Sequence, residues 1–295
     1  MRMQEDLNAK KSIVSLKERL VSVIPYVPRN AESKSFLLNK DISDLLHIHH
    51  FWRQRFIQAS PRKFFAPSNV RNDPLYVQLK KRIEPLKRKI EAGEDVSAYL
   101  SSRAHERAID ISDYKKSCSF SASRDQLLVC EGFFHLHLAP RPERTDEILV
   151  AQVTPETFEV VGIFTHELFD ESGLNPSYSK YDKAIDAYLA RRLPSGGAFL
   201  GGPGGGLQNA AGSSVVSTFW ATRCYRVLIA VELYSAGLEG FTIKLYDEIF
   251  TRKPSFVKPI WDVTNDGYLL IRDRKNKCEF WVEYDGKWKG KELSS

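Results

Sequence analysis

The chain contains few cysteines, and none of them are spaced as metal ligands. Its 295 residues include four cysteines, and no C-x-x-C motif is present. Scattered cysteines are typical of structural thiols in a reducing compartment, so a zinc site built on cysteine is not expected. The first residues include Glu5 and Asp6 and lack the apolar core of a secretion signal. We therefore expect residence in the cytoplasm.

Familiar signatures of nucleotide and nucleic-acid binding are also missing. The glycine-rich run at 195–206 has no lysine after its glycines and no convincing strand before it. It therefore fits neither a phosphate-binding loop nor a dinucleotide fingerprint, and we expect a turn or a lid there. No helix-turn-helix, zinc-finger or RNA-recognition signature is found. Residues 195–222 carry no charge but are too rich in Gly, Ser and Asn for a membrane span, so no membrane partner is expected.

The net charge of +6 comes from the N-terminal part of the chain. Residues 1–110 contain 21 Lys and Arg against 13 Asp and Glu, whereas the remaining residues contain 22 against 24. The positive charge is densest at Lys80, Lys81 and Arg82, inside a helix predicted over 75–90. Such a helix face can bind the phosphates of RNA or DNA, although an ordinary solvated surface has the same appearance. These three residues are the candidate substrate-binding residues of the helix.

Three of the seven histidines lie in a segment that predicts an antiparallel sheet. The apolar runs at 133–139, 146–154 and 158–166 are separated by turn residues, which is typical of a three-stranded meander. Because side chains alternate along a strand, His135 and His137 should share one face and Leu136 and Leu138 the other. One face then forms core and the other carries chemistry. The strand ends and the loop between them bring together one set of polar residues: His137, Arg141, Arg144, Asp146 and His166.

This set of side chains has two chemical interpretations. Without a metal, two imidazoles and an arginine suit cleavage of a phosphodiester, because histidine exchanges protons near neutral pH. With a metal, His135, His137 and His166 would bind zinc, with Asp146 as a further ligand or base. The first and third strands of a meander lie about 10 Å apart, which favours the metal-free version and no cofactor. A third interpretation is that these histidines are only polar surface of the sheet.

The same residues carry a family resemblance. The FHLHL strand, the arginine-bearing turn, the EILVAQV strand and the VGIFTH strand resemble bacterial and mobile-element proteins of uncharacterised activity that have an H-x-H strand and an IGIF-x-x-H strand. The resemblance covers about residues 110–170. A small basic sheet that carries His and Arg is more distantly similar to ribonuclease toxins of the RelE and BrnT type. That similarity implies cleavage of RNA, a toxin or phage-defence role, and an antitoxin-like partner protein.

The sequence predicts an α+β fold. We expect a helical, basic N-terminal region over 1–110, followed by an α+β domain over 111–295 with a central antiparallel sheet, a C-terminal helix and C-terminal strands. Apolar spacing predicts helices at 13–24, 41–57, 75–90, 95–107, 179–193, 209–217 and 215–234. Pro85 is expected to interrupt the third of these. Strands at 260–264, 268–273 and 278–284 are expected to complete the central sheet.

The leading functional hypothesis is metal-independent cleavage of RNA. His137 and His166 would act as acid and base, His135 would orient them, and Arg144 and Arg141 would bind the phosphate. Two alternatives remain open at this point. One is a non-enzymatic protein that binds nucleic acid or forms a complex through the basic helix. The other is a zinc-dependent hydrolase at the three histidines.

Overall fold

The computed structural model of the chain describes most of its residues. The described segments are 2–101, 109–117, 127–169, 176–193, 206–207, 214–264, 267–283 and 286–293. Within them the chain combines α-helices with mainly antiparallel sheets, which confirms the α+β class. The helices are α1 Arg2–Asn8, α2 Lys11–Val23, α3 Ala31–Leu38, α4 Ile42–Arg53, α5 Ser68–Arg71, α6 Pro74–Ala92, α7 Ile111–Ser117, α8 Pro176–Arg192, α9 Val215–Glu232 and α10 Gly237–Phe250. The strands are β1 Tyr26–Val27, β2 Lys63–Phe65, β3 Ile109–Asp110, β4 Phe134–His137, β5 Glu147–Val153, β6 Thr157–Thr165, β7 Pro259–Val263, β8 Leu269–Asp273, β9 Cys278–Val282 and β10 Trp288–Glu292.

The chain divides into two compact units, each assembled from separate stretches of sequence. Unit 1 contains Met1–Arg53, Ala108–Lys115 and Val216–Ser295, and unit 2 contains Gln54–Arg107 and Lys116–Val215. The sequence predicts one contiguous segment for each domain, with a boundary at residue 110. In the structure each unit is instead built from two or three separate segments of the chain. The basic residues predicted in helix 75–90 and the histidine strands consequently belong to the same unit.

Most predicted helices are present, with two corrections. Helix α6 runs through Pro85 without a break, held at its start by Asp73, whose side chain accepts from the Leu75 N–H. It ends at Gly93, whose positive φ forms the left-handed cap. The helix predicted at 95–107 is wrong over its described part, which holds only one 3₁₀ turn at Ser97–Tyr99. Residues 102–107, the glycine-rich run at 195–205 and most of the predicted helix 209–217 lie outside the described residues.

The four-stranded sheet of unit 2 contains the predicted meander. Its strand order is β2-β6-β5-β4, in which β4, β5 and β6 are antiparallel neighbours. Strand β2, which the sequence did not predict, pairs in parallel with the outer edge of β6. His137 lies opposite Ile148, and Glu147 lies opposite Thr165. The end of β4, the start of β5 and the end of β6 therefore meet at one edge, as the alternation of strands and turns predicted.

Both faces of this sheet are buried, including the face that was predicted to carry the histidine chemistry. On the first face Leu136 and Leu149 pack with the apolar side of α6. On the second face Phe133 and Ile148 pack with the apolar side of α8. His135 and His137 alternate with Leu136 and so lie on the α8 side, where both are largely buried. The histidines are thus held by core packing at the margin of the second face.

Unit 1 contains its own sheet. Strands β7, β8 and β9 form at the predicted positions, and β10, which was not predicted, adds to β9 to give the order β10-β9-β8-β7. The expectation that these strands complete the central sheet is wrong, because within the described residues they pair only with one another and with β10. Strands β1 and β3 form a short parallel pair in the same unit. No helix in the described part of the chain is both long and apolar enough to cross a membrane.

Candidate functional site

The loop between β4 and β5 is fastened to the strands by one threonine. The Thr145 hydroxyl accepts from the Leu138 N–H at 2.9 Å and donates to the Glu147 carbonyl at 2.6 Å. The Thr145 carbonyl faces the ring of His137, with its oxygen 2.8 Å from Nδ1. A loop that contains two prolines has few backbone donors of its own, so these bonds fix its course. His137 is therefore positioned by the loop that also carries Arg141 and Arg144.

His166 is positioned by the same edge of the sheet. It follows β6 as the first residue of a 3₁₀ helix, His166–Phe169. Its backbone N–H donates to the Asp146 carbonyl at 3.2 Å, and its Nδ1 lies 2.7 Å from the same oxygen. The Asp146 carboxylate is 3.5 Å from Nδ1. Backbone and side chain of His166 are thus both bound to the residue that precedes β5.

These contacts fix the tautomers of both histidines. A carbonyl oxygen can only accept a hydrogen bond, so Nδ1 must carry the proton that it donates. In the neutral form of each ring, Nε2 is then the unprotonated nitrogen. His137 and His166 therefore each present the nitrogen that can take up or release a proton, while the other nitrogen holds the ring in place.

The two rings lie against each other. The ring centroids of His137 and His166 are 4.9 Å apart, with an interplanar angle of 27°. The expected separation of about 10 Å between the first and third strands does not apply to these side chains. His166 lies beyond the end of β6, and its bonds to Asp146 turn it back across the start of β5. The strand spacing, which was used against a three-histidine zinc site, therefore does not set the distance between the rings of His137 and His166.

The two histidines differ in burial and electrostatics. His137 is only 3% exposed, and its pKa is lowered to about 4, mainly because burial disfavours the charged ring. The hydrogen bond to Thr145 opposes this shift, whereas the nearby His166, Arg144 and His135 add to it. The side chain of His166 is 40% exposed. At neutral pH the buried member of the pair is therefore an uncharged imidazole, and the second member is open to solvent.

The remaining predicted residues of the loop edge lie near this pair. His135 is opposite Val150 and packs against Phe169, with ring centroids 5.1 Å apart. Arg144 is close enough for its charge to lower the pKa of His137. The Arg141 N–H donates to the Ala98 carbonyl at 3.1 Å, which anchors the outer end of the loop. The structure thus brings His135, His137, His166 and Arg144 together, with Arg141 in the same loop.

One basic residue of α6, Arg82, approaches the same edge from the other face of the sheet. Lys80, Lys81 and Arg82 are exposed, while Leu79 and Ile83 of the same helix are buried. Arg82 Nη1 lies 3.6 Å from Glu147 Oε2, at the first residue of β5. An exposed pair at that distance contributes little stability. It does show that positive charge on α6 reaches the strand end that also borders the histidines.

The described histidines, cysteines and carboxylates do not form a metal site. No three of them in the described residues are arranged so that they could hold a metal ion, and this includes His135, His137 and His166. In unit 1, His50 Nδ1 lies 3.1 Å from Ser217 Oγ and its ring stacks on Trp220. His47, on the same helix, is half-buried beside Phe51, and burial lowers its pKa. The described contacts of both histidines are thus with neighbouring side chains of unit 1.

Two residues of the site were not predicted from the sequence. Thr145 supplies three of the contacts that fix the loop, and only its position before the DEILV strand distinguishes it from other turn threonines. Phe169 contacts His135 although it lies beyond the third strand. No match to the chain was found among protein-family models, curated proteins or solved structures. The chemical interpretation of the site consequently depends on its geometry.

Proposed function

We propose that unit 2 is a metal-independent endoribonuclease in which His137 and His166 form the acid–base pair. The observation that carries this proposal is the stacked pair itself, in which each Nδ1 is bound to a backbone carbonyl and each Nε2 is left for proton transfer. To hold two histidine rings side by side in defined tautomers, the fold must bury a polar ring, and this burial is unfavourable. Purely structural histidines on a sheet do not require that pairing.

The burial of His137 and the exposure of His166 assign the two roles. The neutral Nε2 of His137 takes the proton of a ribose 2′-hydroxyl, and the 2′-oxygen then attacks the adjacent phosphorus. The bond from phosphorus to the 5′-oxygen breaks, and His166 in its protonated form donates the proton that this leaving oxygen needs. The products are a 2′,3′-cyclic phosphate and a 5′-hydroxyl. The Asp146 carboxylate pairs with the protonated form of His166.

The arginines and the basic helix supply the charge that the substrate requires. Arg144, whose charge already acts on His137, stabilises the extra negative charge on the phosphate in the transition state, with Arg141 as a second contact. Lys80, Lys81 and Arg82 bind neighbouring phosphates of the chain. His135 is a positioning residue that packs beside the pair. The similarity to ribonuclease toxins supports a toxin or phage-defence role, with an antitoxin-like partner and a cytoplasmic setting.

The test is cleavage of a labelled RNA pool by purified protein, with and without EDTA. Variants that remove only Nε2 are the most informative, because the Asn amide can replace the Nδ1–H donor of histidine. We expect His137→Asn and His166→Asn to lose cleavage by at least about 100-fold, the usual contribution of a general acid or base, while RNA binding is retained. Glu143→Ala, an exposed change in the same loop, is the matched control and should cleave like the unchanged protein.

The outcomes separate the proposal from its rivals. EDTA-resistant products that end in 2′,3′-cyclic phosphate support the assignment. Full activity in either Asn variant refutes it. Salt-dependent binding that is lost when Lys80, Lys81 and Arg82 are neutralised, with no cleavage in any lane, supports instead a protein that only binds nucleic acid. Cleavage that EDTA abolishes and Zn²⁺ restores supports a zinc hydrolase.

A further inference from the structure

A large apolar side chain is exposed to solvent beside the histidine pair. Phe169 ends the 3₁₀ helix that begins at His166 and is 43% exposed. The preceding residue, Leu168, is buried in the cluster between the sheet and α8. Leu168 therefore fixes the short helix, and its geometry turns the next side chain outward. Phe169 is presented at this edge by packing.

The ring of Phe169 continues an aromatic surface that starts at the histidine pair. Its centroid lies 6.1 Å from that of His166 and 5.1 Å from that of His135. His137 and His166 are stacked next to it. Rings at these spacings form one ledge, defined here as His135, His137, His166 and Phe169. Of these four side chains, His166 and Phe169 are the most exposed.

We propose that Phe169 is the stacking platform for a nucleobase next to the cleaved phosphate, and that the substrate is therefore single-stranded RNA. This inference rests on the proposed ribonuclease function. An aromatic face binds any base by stacking, and proteins that bind single strands combine such faces with positive charge along the backbone path. Here the charge is provided by Arg144 and by Arg82 at the same sheet edge. A base inside a duplex is already stacked on its neighbours and has no free face to offer.

The experiment measures binding with a probe that cannot be cleaved. A short fluorescein-labelled strand of 2′-O-methyl RNA lacks the attacking hydroxyl, and the same strand annealed to its complement provides the duplex. We expect Phe169→Ala to weaken binding of the single strand by about tenfold and to leave duplex binding unchanged. Phe169→Trp should bind the single strand at least as tightly as the unchanged protein. Phe169→Leu keeps an apolar contact to His135 without a π face, and it should behave like Phe169→Ala.

Phe65→Ala is the matched control. Phe65 is a similarly exposed phenylalanine in the same unit, 41% exposed, and it pairs with Glu159 on β6. That position lies roughly 20 Å along the strand from the histidine pair. Phe65→Ala should leave both affinities unchanged. Single-strand binding that is insensitive to all Phe169 variants, equal losses for strand and duplex, or no binding of either probe would overturn the proposal.

The failure of this inference can be told apart from failure of the proposed function. If the protein cleaves all-ribose RNA and Phe169→Ala cleaves it with unchanged kcat/KM, the stacking role is wrong and the ribonuclease stands. If the 2′-O-methyl strand binds through Phe169 but all-ribose RNA is never cleaved, the ribonuclease is wrong. In that case Phe169 contributes to binding alone, and the stated role next to a cleaved phosphate is overturned with it.

Discussion

The low pKa of His137 makes a quantitative prediction for the stability of unit 2. An unfolded chain binds a proton on histidine near pH 6.5, whereas folded His137 does so only near pH 4. Below pH 6.5 the unfolded state therefore holds more protons, and stability falls as the pH falls. The contribution of this one residue is fully present above pH 6.5. Between neutral pH and pH 4.5 it is reduced by about 2–3 kcal/mol.

The substitution that isolates this effect is His137→Asn, which keeps a donor to the Thr145 carbonyl but cannot titrate. His49 and His50 in unit 1 also have pKa values lowered to about 4, mainly because of desolvation. Their effect is the same in both proteins. The prediction is therefore made for a difference: the stability gap between His137→Asn and the unchanged protein should shift by about 2–3 kcal/mol in favour of the variant between pH 7.5 and pH 4.5.

The assay must follow unit 2 alone. All five tryptophans are in unit 1, so their fluorescence cannot report on the sheet that carries His137. Hydrogen exchange of peptides from β5 and β6 gives the opening free energy of that sheet directly. Tryptophan fluorescence then serves as the internal control, because unit 1 should respond identically in the two proteins. Parallel pH curves for β5 and β6 would refute the assignment of His137 as a buried neutral imidazole.

Two further predictions concern the loop and the basic helix. Thr145→Val is nearly isosteric but removes the hydroxyl bonds to Leu138 and Glu147. Hydrogen exchange of β5 should therefore show an opening free energy that is lower by about 1–3 kcal/mol. Thr145→Ser keeps the hydroxyl and should lower it by less. When Lys80, Lys81 and Arg82 are replaced by Gln, the slope of log K for RNA binding against log salt should become smaller in magnitude by about two. This is the change expected when three phosphate contacts to a single strand are lost. An unchanged slope would exclude α6 from the RNA-binding surface.

The helices and the histidine strands could be predicted because their signals are local. Leu79, Ile83, Leu86 and Ile90 recur at helical spacing and are the residues that α6 buries. The apolar runs of β5 and β6 are long enough to mark strands that are buried on both faces. Strand β2 has only three residues and is recognised as a strand only because it pairs with β6. A segment so short carries no periodicity from which pairing could be predicted.

The helix that covers the histidine face of the sheet could not be predicted for a related reason. Alternation correctly separates His135 and His137 from Leu136, but it does not say what covers the histidine side. Phe133 lies on that side too, and its complete burial depends on Tyr188 of α8, which is more than 50 residues away in sequence. Burial of the histidines thus depends on a helix, and the sequence of the strand does not indicate that this helix packs against it.

The closeness of His137 and His166 shows most clearly where a strand-based argument fails. Strand spacing limits the distance between backbones within a sheet, but it does not apply to a residue that has left the strand. His166 is the first residue after β6, and two bonds to Asp146 determine where its ring goes. Asp146 in turn is held by the loop that Thr145 fastens to β4 and β5. The pair is therefore built by the turn residues between the strands, and the strands serve to bring those turns to one edge.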